Sequence, residues 1–390
     1  MQLISRESFT PPRKFVGLLI FAPIVYFGLV FPMLFLLGFD PRTEYYEYSQ
    51  LDRFIVAFVL VLNIIYLISS LYFFARFFPR EVTVSVPNSW PLVLGVVLFV
   101  YFTLAGNLAQ DRATIKSGAT LVSVVLNAAA YAYLGALLLC EKNKLKLLVV
   151  ASGIVLTIIL TFERESILYL AFPLVLRLGR HWWAWPMLVL FGIAGAIFLG
   201  GYKYILTLTL LSGEPLSLEL FFRPEFWEYV SRSFMTDNLH KSSLELFYFQ
   251  GDAPHYNILT YFMPYQIARM LDPLANTNGG IATLYYTAGY TGTGYSALLE
   301  SWQNFWILGP VIMPGLLFLG FRQVVRSGSA FLFITMLVFS LKLQRAELWP
   351  TVLGIALGPI LFFAAGRLLR LLRKSPGAGR PVKAATVKPA

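Results

Sequence analysis

Residues 147–176 read LLVVASGIVLTIILTFERESILYLAFPLVL, an apolar run broken once, by Glu163, Arg164 and Glu165. Lys142, Lys144 and Lys146 precede the run, and Arg177 and Arg180 follow it. Basic flanks stay on one side of a membrane, so the run must cross outward and return. Its two arms, 147–162 and 166–176, rise about 24 and 17 Å as helices, against a hydrocarbon core of about 30 Å. The Glu-Arg-Glu turn is therefore expected below the outer surface. Charge at that depth must be buried in protein or line a cavity. The bland alternative is that Arg164 pairs with its own neighbours or tethers the hairpin.

The rest of the chain agrees with a membrane protein. Hydrophobic residues make up 57% of 390, charged residues 13%, and the mean hydropathy is +0.68. A soluble domain carries roughly 25% charged residues. Ten apolar stretches are candidate spans: 15–39, 54–75, 91–106, 119–140, 147–162, 166–176, 186–200, 305–321, 329–343 and 350–369. The first is too long for a signal-peptide core and has no small-residue cleavage site after it. The net charge of +11 invites a nucleic-acid reading, but topology accounts for it. Nineteen of the 31 basic residues flank the spans on one side, with only Glu7, Glu81 and Glu141 opposing them. That side is then cytoplasmic, with both termini on it. One cysteine, Cys140, leaves no intrachain disulfide. With three histidines, His181, His240 and His255, and no HExxH or CxxC spacing, no metal site or cofactor is expected.

The expected fold is an all-α polytopic membrane protein of about ten transmembrane helices with one large, partly helical outer loop. The expected units are N-terminal spans over 1–201, the loop over 202–304, C-terminal spans over 305–371, and a disordered basic tail over 372–390. No internal repeat is visible. A hundred-residue loop inside a compact protein implies function or partial folding. Residues 225–234 and 261–270 have helical spacing, and 276–295 (NTNGGIATLYYTAGYTGTGY) suits turns and close approach to a ligand.

Arg345 lies between two apolar stretches, as Arg164 does, and Arg269 lies in the long loop. The arginine fork matches phosphate oxygens. These three form the expected anion site at the outer face, with Arg232 as a further member. Three arginines can hold a diphosphate. Glycosyl transfer from a diphosphate-linked sugar needs positive charge on the leaving anion and a base for the acceptor hydroxyl. Asp237, His240 and His255 in the loop are candidate bases, although most polar residues of such a loop are merely solvated. The loop's aromatic residues suit either sugar stacking or an interfacial belt.

Three motifs carry a family resemblance. FERESIL (162–168) places an arginine after a mid-chain apolar helix. GTGYSALLESWQNFWILGPVI (292–312) is a glycine-rich and acidic stretch, with Glu300 the acid, leading into a helix. LQRAELW (343–349) places an arginine between two late helices. Arg269 and Gly280 also match an RX10G pattern. In these features the chain resembles the Wzy-type polysaccharide polymerases, over about residues 145–350. The resemblance implies a C-type glycosyltransferase-like enzyme of the bacterial inner membrane. It would join oligosaccharide repeat units carried on undecaprenyl diphosphate at the periplasmic face, without metal. Donor and acceptor would be lipid-linked oligosaccharides, with membrane lipid and a chain-length regulator protein as further partners and no nucleic acid. Arg164, Arg269 and Arg345 would bind diphosphate. Glu300 would position the acceptor or pair with one of those arginines. Alternatively, Glu300 is a helix N-terminal acid favoured by the macrodipole. The rival functions are an O-antigen ligase and a non-enzymatic flippase or exporter. Polar residues concentrated at one face favour catalysis over transport.

Overall fold

The structure, a computed structural model, describes residues 7–38, 53–86, 121–161, 167–190, 192–194, 197, 201, 218–230, 270, 297–344 and 352–373. Its elements in chain order are β1 (Glu7–Phe9), α1 (Arg13–Gly28), α2 (Val30–Leu36), α3 (Arg53–Phe77), β2 (Val84–Val86), α4 (Leu121–Cys140), α5 (Lys144–Thr161) and α6 (Leu168–Leu178). The last four are α7 (Ala297–Phe305), α8 (Gly309–Arg326), α9 (Ala330–Lys342) and α10 (Leu357–Arg373). Outside these, residues 224–230 are helical within the segment expected to be a partly helical loop.

Among the described residues three helical stretches are long and apolar enough to cross a membrane: Arg13–Leu36, Arg53–Phe77 and Trp306–Arg326. Their burial explains the composition. On α3, Val56, Val59, Leu62 and Tyr66 face the interior, while Val61, Ile64, Ile65 and Ile68 are exposed. A helix apolar on both faces has protein on one side and suits lipid on the other. This is a helical architecture compatible with a membrane-embedded protein. The candidate span 91–106 lies outside the described residues.

At the centre stands α9. Every residue from Leu332 to Ser340 is buried, and α9 packs on α1, α4, α6, α8 and α10. Ser329 begins it, its hydroxyl accepting a hydrogen bond from the Leu332 N–H. Around it, α3 and α8 run in the same direction, with Phe74 against Phe318 at 5.9 Å and Arg322 over the Phe77 ring at 6.0 Å. Gly358, at the start of α10, lies directly on the Val125 carbonyl of α4, where no Cβ would fit. Small residues permit such close helix approach in membranes.

One end of the bundle is basic and is closed by a two-stranded sheet, a departure from the all-α expectation. β1 and β2 pair antiparallel, Glu7 opposite Val86 and Phe9 opposite Val84. The strands are too short to show a period-2 pattern in the sequence. The Ser85 N–H donates to the Gly328 carbonyl at 2.9 Å, tying the sheet to the start of α9. Arg177 donates through Nη1 to the carbonyls of Leu138 and Glu141 at 2.6 and 2.7 Å, capping α4. Arg13 reaches the carbonyls of Phe74 and Ala75, both at 3.3 Å. Arg180 lies 4.8 Å over the Phe9 ring. Basic residues far apart in the chain thus gather where helices end.

Candidate functional site

α6 finishes at the basic end and α9 begins there, and Tyr169 near the start of α6 lies level with Ile334 in the first half of α9, both packed on Gly135. α6 has 11 residues and α9 has 13, rises of about 17 and 20 Å. Neither crosses a core of about 30 Å. Their far ends therefore stop part-way through the bundle. Ile167, two residues after Glu165, and Gln344, one residue before Arg345, mark those ends.

A short helix meets the end of α9. The Ala297 N–H, at the start of α7, donates to the Leu343 carbonyl at 2.9 Å. Trp302 of α7 packs edge-on against Phe58 of α3 at 5.6 Å. The chain then reverses through Trp306–Leu308, and Trp306 adopts φ 54°, rare for a bulky residue. The backbone of Gly309 lies on that of Ser301, so α8 can begin flush against α7 only without a Cβ. Ala297, Leu298, Leu299, Glu300 and Ser301 are all buried. These five residues were counted in the large outer loop, yet they belong to the core. The span expected from 305 also starts differently, because Phe305 ends α7 and α8 begins at Gly309.

Glu300 occupies the first turn of α7 and is 1% exposed. Tyr66, in the middle of α3 and 2% exposed, lies within electrostatic reach of its carboxylate. Gln344 Nε2 donates to the Ser340 carbonyl at 3.4 Å. The Ser301 hydroxyl turns back to the Leu298 carbonyl at 2.7 Å. Tyr66 lies about 17 Å along α3 from the basic end, near the middle of a helix long and apolar enough to cross a membrane. Buried polar groups are tolerated when hydrogen-bonded, and ionisable ones at such depth mark functional sites by default.

Of the eight candidate residues, Glu300 alone falls among those the structure describes. Arg164, Arg232, Asp237, His240, His255, Arg269 and Arg345 lie outside the described residues. Sequence reasoning missed Tyr66 and Gln344. The signal for Gln344 was its place inside LQRAELW, and for Tyr66 it was a hydroxyl in a helix that also buries Asn63 and Ser70. Among the described residues, no three His, Cys, Asp or Glu side chains gather as metal ligands. No family model, curated protein or solved structure matches the chain.

Proposed function

We propose that this chain is a polysaccharide polymerase of the bacterial inner membrane, joining oligosaccharide repeat units carried on undecaprenyl diphosphate at the periplasmic face. In this proposal the protein has about ten spans, one large periplasmic loop and both termini in the cytoplasm. It is supported by one observation: the buried Glu300 lies on α7, whose first N–H is hydrogen-bonded to Leu343, two residues before Arg345. Arg164 and Arg345, with Arg269 and Arg232 from the loop, grip the diphosphate. Their charge stabilises it as it leaves the donor sugar. Glu300 orients the acceptor sugar or holds one of those arginines in place. A base from the loop, Asp237, His240 or His255, takes the acceptor proton.

The experiment is reconstitution of the purified protein with an undecaprenyl-diphosphate-linked oligosaccharide, read as products on a gel. The expected result is a ladder of repeat units that persists in EDTA. A single transfer to a lipid A core acceptor, with no ladder, replaces this function with a ligase. Movement of the lipid-linked sugar across vesicles without new glycosidic bonds replaces it with a flippase.

A further inference from the structure

Arginines at the basic end do two different things. Arg13 and Arg177 donate to carbonyls where α3 and α4 finish, and so cap them. Arg76, Arg322 and Arg326 stand in the last turns of α3 and α8. Among the described residues, none of these three takes part in a hydrogen bond or ion pair. The helix ends do not need them. Arg13 already takes two of the last carbonyls of α3. The Ser327 and Gly328 N–H groups take those of Gln323, Val324 and Val325 at the end of α8.

The three arginines belong to one seam. α3 and α8 run in parallel, and Phe73 lies against Gly315, where an added Cβ would meet its ring at 3.2 Å. Phe73 stacks on Phe77 at 5.6 Å, and the Arg322 guanidinium lies 6.0 Å over the Phe77 ring. Arg76 directly precedes Phe77, and Arg326 is one turn beyond Arg322 on the same face of α8. Both Arg76 and Arg326 are exposed. One turn back along each helix the exposed surface turns apolar: Tyr72 and Ile68 on α3, Leu319 and Leu316 on α8. The outer side of the seam is therefore an apolar strip that ends in cations at one level. The arginine fork matches phosphate oxygens. A free anion would use the arginines alone, whereas a ligand with both a phosphate and an acyl chain uses the whole strip.

We propose that the α3–α8 seam binds an anionic phospholipid, its phosphodiester held by Arg76, Arg322 and Arg326 and an acyl chain lying along Tyr72 and Leu319. The site stands on the helical bundle alone, so the outcome of the ladder assay does not bear on it.

The test uses the purified full-length protein in detergent, titrated with phosphatidylglycerol or phosphatidylcholine, with bound lipid counted by native mass spectrometry. Phosphatidylglycerol is expected to fill a first site about tenfold more tightly than phosphatidylcholine. Arg76→Gln combined with Arg326→Gln is expected to remove most of that preference. Lys142→Gln combined with Lys144→Gln takes the same charge from the exposed α4–α5 turn and is expected to keep it. Equal loss in both double variants overturns the site, since the attraction would then belong to the basic end as a whole. Inorganic phosphate, compared with chloride at the same ionic strength, is expected to leave the lipid bound. Displacement by phosphate overturns the lipid in favour of a soluble anion. Where the arginine variant does not fold, the wild type is irradiated with phosphatidylglycerol carrying a diazirine on its acyl chain. Crosslinks are expected to concentrate in residues 68–76 and 316–323. Crosslinks spread evenly over the exposed helices, or a wild type with no preference between the two lipids, overturn the proposal.

Discussion

Two glutamates, one at each end of the bundle, show what charge does in different surroundings. Glu141 follows α4 at the basic end. Its Oε1 accepts from the Lys142 and Asn143 N–H groups at 3.0 and 2.8 Å, and its Oε2 lies 3.3 Å from Lys146 Nζ. Burial raises its pKa, but the Asn143 N–H, Lys146 and the Lys142 N–H outweigh that and hold it below the usual carboxylate value. Glu300 is carried inward on α7 and is 1% exposed. A charge at the edge with donors around it stabilises a fold. A charge taken deep costs several kcal/mol of desolvation before any interaction is made. The first needs no reason beyond structure, while the second calls for a chemical one. The basic end is a clamp, and the other end is where the proposed function would place its chemistry.

The contrast breaks most sharply if the two ends do not lie on opposite sides of a membrane. In intact cells, a cysteine placed at Gly251 is expected to react with an impermeant thiol reagent and one placed at Ser375 to be spared. The reverse pattern removes the orientation. Next in size are the arginines beside the deep end. Arg164→Lys and Arg345→Lys replace a paired fork with a point charge. Losing a charged hydrogen bond costs about 1.5–3 kcal/mol, roughly a ten- to hundredfold fall in polymerisation, with expression kept. Folded variants with complete ladders remove the diphosphate role. Rescue of either variant by neutralising Glu163, Glu165 or Glu347 assigns that arginine to structure instead.

At the clamp the effects should fall on stability. Arg177→Leu leaves the carbonyls of Leu138 and Glu141 without that cap and is expected to destabilise by about 1.5–3 kcal/mol. This is read as a lower melting point in detergent, with kcat per folded molecule unchanged. The smallest effect belongs to Glu141→Gln. Because the folded pKa is depressed, the contribution of Glu141 is complete above its ordinary value, about 4.3. It fades as pH falls through the lower folded value. The variant is therefore expected to melt slightly below the wild type at pH 7 and together with it in strong acid. Equal melting points at pH 7 contradict the assigned role of Glu141.

How much of this was legible depended on distance along the chain. Long apolar runs such as Arg53–Phe77 announce a helix by length alone, and the basic flanks name one end. The 305–321 span agrees with the long apolar stretch Trp306–Arg326, but WIL reads as apolar whether it continues a helix or reverses the chain. What reverses it is the left-handed Trp306 and the bare backbone of Gly309. α7 was hidden because SALLESWQNF is too short and polar to signal a core helix, although burial by α3, α8 and α9 makes it one. Glu300 was visible as an acid near a helix start. The packing of its helix on α3 was not, since contacts across hundreds of residues leave no periodicity. The strands β1 and β2 owe their pairing to the helix ends they bridge.

The central helix α9 bears on how the protein is made. It is apolar all round, and its neighbours β2, α1, α4, α6 and α8 precede it in the chain, leaving only the Val352–Ala356 turn and α10 to follow. During synthesis most of the described socket is therefore made before the plug emerges, and residues 352–373 close it afterwards. α9, about 20 Å long, is a poor fit to lipid alone and gains partners the moment it leaves the translocation machinery. A nascent chain stopped before Ala330 would hold a ring of helices around an unfilled axis. The last sixth of the chain therefore turns a set of helices into one packed protein.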